Sequence, residues 1–373
     1  MPKGEYLQYG GQAVIEGVMM RSPKHWAVAC RAPNGKIVLH TEPMEKTWIG
    51  KQRWLKAPFL RGSLGILDAL FLGNRALRIS SEIQMDPRYL AEEGVEVEKS
   101  SEVMKYVERL AKNDKVNQPD SMIEKGSIEE TSESTDPKKD EISPQKMRNA
   151  IIATMIVGLA LGVLLFSALP NYIAELSVKV GVQSPTLKNF IAECVKIVIF
   201  LAYIGLIGLM KDIREIYKYH GAEHKAINAL ENDEPLTLEN CKKQTRLHPR
   251  CGTSFAIIVI ILSLAFFTFV PRYPLGESAF LGFNVAIRVL VELALIPLVA
   301  GTAYELLRIA GKFRDQRWVN FAFAPGLGTQ YLTTREPEDD KIEVALISLR
   351  AVIDRDNEEP DVPEEEPEAA EIA

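Results

Sequence analysis

Residues 151–169 (IIATMIVGLALGVLLFSAL) and 253–270 (TSFAIIVIILSLAFFTFV) contain no charged side chain. As helices rising 1.5 Å per residue, they extend roughly 27–29 Å, close to the thickness of a bilayer's hydrocarbon core. A purely soluble chain is therefore not expected. Two less uniform apolar stretches complete a set of four expected spans, at 148–170, 189–210, 253–271 and 281–307. The second carries Glu193 and Lys196, and the fourth carries Arg288, Glu292 and Pro297. Each charge pair is spaced to share one helix face and partly neutralise itself, which reads as an interhelical tether rather than a polar pathway.

The flanking charges give an orientation. Lys211, Arg214, Lys218, Lys225, Lys242, Lys243, Arg246 and Arg250 lie between the second and third spans. The other two loops hold only Lys179, Lys188 and Arg272. Bases also precede the first span and follow the fourth. The positive-inside rule then places both termini and the large 211–252 loop in the cytoplasm. The N-terminus lacks the charged-then-apolar pattern of a signal peptide, so secretion is not expected. The four cysteines show no paired spacing, and Cys241 and Cys251 read as reduced thiols on the cytoplasmic side.

Net charge conceals this arrangement. The whole chain is −6, but residues 91–145 and 354–373 hold 25 of its 50 acids and only 9 of its 44 bases. The remaining 25 acids and 35 bases leave a body of +10. Both acidic segments are poor in apolar residues and read as a disordered linker and a disordered tail. The basic body suits anionic lipid headgroups of the inner leaflet; no nucleic-acid partner is expected.

Before the linker, residues 1–60 read as a small β-rich unit. QAVIEGVMMR alternates, and Asn34-Gly35 separates two β-rich runs as a hairpin turn would. Residues 61–90 read as an amphipathic helix, with Leu60, Leu64, Leu67 and Phe71 on one face and Arg61, Asp68 and Arg75 on another. It could cover the β-rich unit or lie at the membrane interface. Glu16 stands in an apolar run and needs a partner, for which Arg21, Arg335 or a metal are the candidates.

Three of the five histidines fall in YHGAEHKAINALE and RLHPRCGTSF. On a helix, His220 and His224 project from one face, with Glu223 beside them. This is H-x-x-E-H, in which two imidazoles hold zinc and the carboxylate acts as general base. His248 and Cys251 precede the third span and supply further ligands: either one completes an open catalytic site, whereas both would close a structural one. Gly221 could break the helix and separate the imidazoles. His25 and His40 have no companion, and Cys241 is a reserve ligand. The Gly-rich runs near Gly10 and Gly326 lack the G-K-[ST] ending of a phosphate-binding loop.

Together, GGQAVIEGVMMR, the RG…LGNRAL helix, HGAEHK, HPRCGTSF and the APGLG…LTTREP run resemble the YqhQ-like family of bacterial membrane proteins. The resemblance covers 5–85 and 146–350. That family is of unknown function and is labelled as predicted metal-dependent enzymes. The resemblance implies a bacterial multi-pass membrane protein with a metal site at His220, Glu223, His224, His248 and Cys251. The expected fold is mainly α: a polytopic membrane protein of four transmembrane helices (146–320) with a small cytoplasmic β-containing N-terminal unit and a cytoplasmic segment at 321–353. The expected activity is a zinc-dependent hydrolase acting on an amide or ester, with Glu223 catalytic. A non-enzymatic adaptor or metal sensor with a structural His/Cys site is the alternative, and a transporter comes third because no broken helices are evident.

Overall fold

The computed structural model describes residues 9–44, 60–89, 123–125, 144–276, 281–312 and 317–358. Four strands form an antiparallel meander: β1 (Gly10–Val14), β2 (Gly17–Arg21), β3 (His25–Arg31) and β4 (Ile37–Pro43). The Asn34-Gly35 turn lies between β3 and β4, with Gly35 at a φ of 81° that favours glycine. Helix α1 (Leu60–Met85) follows. Most of the expected 91–145 linker lies outside the described residues. Within it, β5 (Ile123–Lys125) pairs parallel to β4.

Strand periodicity divides the sheet into two buried faces. Val14, Met19, Trp26, Val28, Cys30 and Val38 pack on Ala76, Ile79 and Ile83 of α1. Leu67 and Phe71 of the same helix stay exposed, so α1 covers the sheet with one part and leaves an apolar flank with another. Val18, Met20, Ala27, Ala29, Ile37 and Leu39 form the opposite face.

The membrane layer follows. Helix α2 (Pro144–Val163) passes through a π turn at Leu164–Ala168 into α3 (Leu169–Leu176). The turn sits just before Pro170, which has no N–H to continue an α-helical ladder. Next come α4 (Pro185–Ile207), α5 (Lys211–Glu231) and the short α6 (Leu238–Lys243). The remaining helices are α7 (Gly252–Thr268), α8 (Leu281–Lys312), α9 (Arg317–Thr333) and α10 (Asp339–Glu358). Helix α10 runs past residue 354, where the acidic tail was expected to begin.

Among the described residues, three helices are long and apolar enough to cross a membrane: Ile156–Val180, Pro185–Ile207 and Gly282–Leu306. The expected third span is the apolar helix α7, whose 17 residues fall short of that length. Large apolar side chains such as Leu159 and Phe283 remain exposed along the layer, as contact with lipid requires. The expected intramembrane pairs act as tethers. Lys196 reaches Glu193 at 2.8 Å within α4 and Glu292 of α8 at 3.7 Å. Arg288 bonds Glu292 at 2.7 Å and also reaches Asn189 of α4.

Helix α5 is the junction of the molecule. It leaves α4 after a short turn and lays Tyr219, Ala222 and Ala226 against the second sheet face, where α10 also packs. Gly221 does not interrupt it. A Cβ there would stand 2.1 Å from the Arg335 carbonyl oxygen, so glycine serves close approach rather than helix termination. Gly221→Ala should therefore destabilise the protein by about 1–3 kcal/mol through overpacking, read as a lower unfolding temperature. Gly205→Ala, which meets no atom within 4 Å, should not.

Candidate metal centre

Because α5 is continuous, His220, Glu223 and His224 occupy adjoining positions on it. The two imidazole rings lie 4.4 Å apart, centroid to centroid. Backbone carbonyls fix both rings. His220 Nδ1 lies 2.9 Å from Thr333 O, and His224 Nδ1 lies 2.6 Å from Arg246 O. A carbonyl only accepts, so each Nδ1 carries the proton and each Nε2 presents a lone pair. Metal-binding histidines are oriented in this way by hydrogen bonds from the other ring nitrogen.

The loop before α7 supplies the third donor. Cys251 caps that helix, with the Thr253 amide donating to its sulfur at 3.4 Å. Its Sγ lies 3.1 Å from His220 Nε2. The candidate ligand atoms of His220, His224 and Cys251 all lie within 4.8 Å of one another. Tetrahedral zinc with nitrogen and sulfur ligands needs donors about 3.3–3.7 Å apart, so modest side-chain adjustment suffices. His224 Nε2 is buried and makes no hydrogen bond. An orphaned imidazole lone pair facing a second imidazole and a thiol fits a soft divalent cation, with a fourth position left open.

Glu223 stands beside this set without joining it. Its Oε2 is 3.7 Å from His224 Nε2 and 4.0 Å from His220 Nε2. Burial raises its carboxyl above the ordinary value, opposed by His220, His248 and the Gly11 amide. Gly11 has no room for a side chain: a Cβ would lie 2.8 Å from Glu223 Cγ. The edge strand β1 thus brings its backbone to the carboxylate. Burial also lowers the His224 and His248 pKa values, which favours neutral imidazoles.

His248 lies outside the cluster. Its Nε2 is 3.2 Å from Glu231 Oε1, and Arg250 pairs with the same carboxylate. Gln330 of α9 holds its backbone, accepting from the His248 amide at 2.7 Å and donating to its carbonyl at 2.6 Å. Cys241 is also elsewhere: it sits in the core under α5, where burial pushes its thiol up to about 12. Glu16 takes neither Arg21 nor Arg335. Its turn, at a φ of 47°, carries its carboxylate to the Tyr219 hydroxyl at 3.1 Å. A phenol from α5 donates to this half-buried group, while the Arg335 guanidinium donates to the Tyr331 carbonyl at 3.3 Å.

A cavity of about 590 Å³ opens beside the centre. Its lining includes the polar His220, Glu223, His248 and Cys251 and the apolar Ala69, Leu72 and Ile204. The carbonyls, Gln330 and the Gly11 approach were not identified from sequence as parts of the site. The only signal was the pair of Gly-rich runs, GGQ and APGLGTQYLTTREP, which had no assigned role.

Glu223 generates a pH prediction. Its folded pKa is raised, so the buried carboxylate opposes folding above that pKa and has no such effect below the ordinary value of 4.5. In chelator-treated protein, Glu223→Gln should unfold at a higher temperature than wild type at neutral pH. That advantage should shrink as pH falls and vanish below about 4.5.

A family model described as a protein of unknown function (DUF1385) matches residues 57–355. The uncharacterized protein YqhQ of Bacillus subtilis (strain 168) is 32% identical over 356 residues, covering 92% of each chain. No solved structure matches. The apolar helices and the His/Cys centre fall within the residues that the family model matches, and the chain belongs to this YqhQ-like family of unknown function.

Proposed function

We propose that the protein is a metal-dependent hydrolase of the bacterial cytoplasmic membrane, with its site at the cytoplasmic surface. One observation carries the reading: the buried, unbonded Nε2 of His224 shares a cluster with His220 and Cys251 while Glu223 stands within 4.0 Å. His220, His224 and Cys251 would hold the ion. Zinc bound there would act as a Lewis acid and bring the acidity of water towards neutrality. The Thr333 and Arg246 carbonyls keep the imidazoles in the ligating tautomer. Glu223 Oε2 takes the proton of a water attacking an amide or ester carbonyl, then returns it to the leaving group. Its raised pKa suits that exchange. The cavity beside it admits the substrate.

Four spans with both termini cytoplasmic fit the same reading. Helix α7 starts at Cys251 in the centre and ends at Thr268, whose carbonyl accepts from Asn189 near the far end of α4. It therefore runs the depth of the layer despite its length. The basic flanks at the centre's end would face anionic headgroups. The alternative, a metal sensor or adaptor with a structural site, draws on the burial of His224, which is 1% exposed.

Elemental analysis of purified full-length protein tests the metal. Wild type should hold about one transition-metal ion per chain. His224→Ala and Cys251→Ser should weaken binding beyond the roughly 10- to 100-fold that losing an outer hydrogen-bond partner costs. Glu223→Gln and His248→Ala should retain the ion. Metal-free wild type after growth with zinc, or unchanged content in His224→Ala, would overturn the reading.

A further inference from the structure

The cavity beside Glu223 has walls of two kinds, and one of them belongs to the membrane layer. Helix α1 begins against α8: a Cβ on Gly62 would lie 2.5 Å from Tyr304 Cβ and 3.2 Å from Gly301 Cα. Both neighbours fall within the span Gly282–Leu306. Glycine thus lets α1 start at membrane depth before it rises to cover the sheet. Along this stretch Leu67, Leu70 and Phe71 are 45%, 58% and 65% exposed, an apolar flank that water would disfavour and lipid would cover. Ala69 and Leu72, on the same helical turns, line the cavity. One helix thickness therefore separates the cavity from lipid on that side. Ile204, within the span Pro185–Ile207, also lines the cavity.

The cavity also holds a cation. Arg21 lines it and, among the described residues, makes no hydrogen bond or ion pair; Asp68 of α1 is the opposing charge that acts on it at longer range. A guanidinium in a partly desolvated position gains most from an anion that meets it with charge-assisted hydrogen bonds. Glu223, His220 and Cys251 line the same cavity.

We infer that the site takes an anionic amphiphile from the adjoining leaflet, its acyl portion lying between α1 and α4 and its phosphate or carboxylate meeting Arg21. As a statement of substrate class, this rests on the hydrolase reading. On this reading the bond to be cleaved lies at the junction of chain and headgroup, facing Glu223, His220 and Cys251 in the cavity wall. A water-soluble peptide would leave the lipid-side wall unused.

Photolabelling tests it. Full-length protein is placed in phosphatidylcholine nanodiscs containing a trace of diazirine-bearing phosphatidylglycerol, with diazirine-bearing phosphatidylcholine as the neutral control. The anionic probe should form adducts on peptides containing Ala69, Leu72 and Ile204. Loss of one charge-assisted contact in Arg21→Gln should cut this labelling about tenfold, and Arg21→Lys should restore much of it. Leu72→Trp, which fills the cavity and leaves Arg21 in place, should abolish it. Equal labelling by both probes, or adducts confined to outward positions such as Leu159 and Phe283, would overturn the inference. So would full displacement by inorganic phosphate, which would show a site for a free anion. Metal content is read on the same samples. Wild type that binds metal but leaves the cavity walls unlabelled sinks this inference alone; labelled, metal-free wild type sinks the hydrolase reading alone.

Discussion

A histidine facing a backbone carbonyl can only donate to it, and the centre depends on two such contacts. Thr333 O and Arg246 O hold the Nδ1 protons of His220 and His224, which turns both Nε2 lone pairs towards Cys251. Neither carbonyl is free to move. Thr333 closes α9, and the segment after it passes over Gly221, with the Arg335 amide bonded to the Tyr217 carbonyl of α5. Arg246 belongs to the strand of loop that Asn228 holds through the Thr245 and Leu247 carbonyls. The helix carrying the imidazoles and the segments orienting them are therefore packed as one body. An interior built this way costs little reorganisation when a cation arrives.

The membrane layer serves the same arrangement from below. Its polar residues are spent on joining helices: Arg288, Asn189, Glu292 and Lys196 tie α4 to α8, and Arg272 ties the end of α7 to Glu175 and Asn171. Such contacts fix the depth at which α4 passes into α5 and α7 begins. Cys251 and His220 meet because one stands at the start of α7 and the other is carried on α5. A shift of α7 along its axis would separate the Cys251 sulfur from His220 Nε2.

Legibility in the sequence followed range. His220, Glu223 and His224 were legible because their relation is set within one helical turn. Cys251 was legible as a candidate, but its place beside the pair rather than His248's was not, since Glu231 and Gln330 decide it from other segments. The orienting carbonyls were not legible at all: Thr333 is 113 residues from His220, and a carbonyl carries no residue identity. Glu16 shows the same limit. A search for opposite charge named two arginines, whereas a strained turn delivers the carboxylate to a tyrosine hydroxyl. Apolar periodicity found the membrane helices but not the length at which α7 ends. It also left open whether α1 covers the sheet or meets lipid; one part of the helix covers the sheet and another leaves an apolar flank exposed.

The central claim is that two imidazoles and the Cys251 thiol form one metal centre that His248 does not join. Cobalt(II) substitution reads that ligand set directly. The account predicts a thiolate-to-cobalt charge-transfer band and the strong visible absorption of a four-coordinate ion, lost in Cys251→Ser and kept in His248→Ala. A spectrum without the thiolate band, or one abolished equally by His248→Ala, would contradict it.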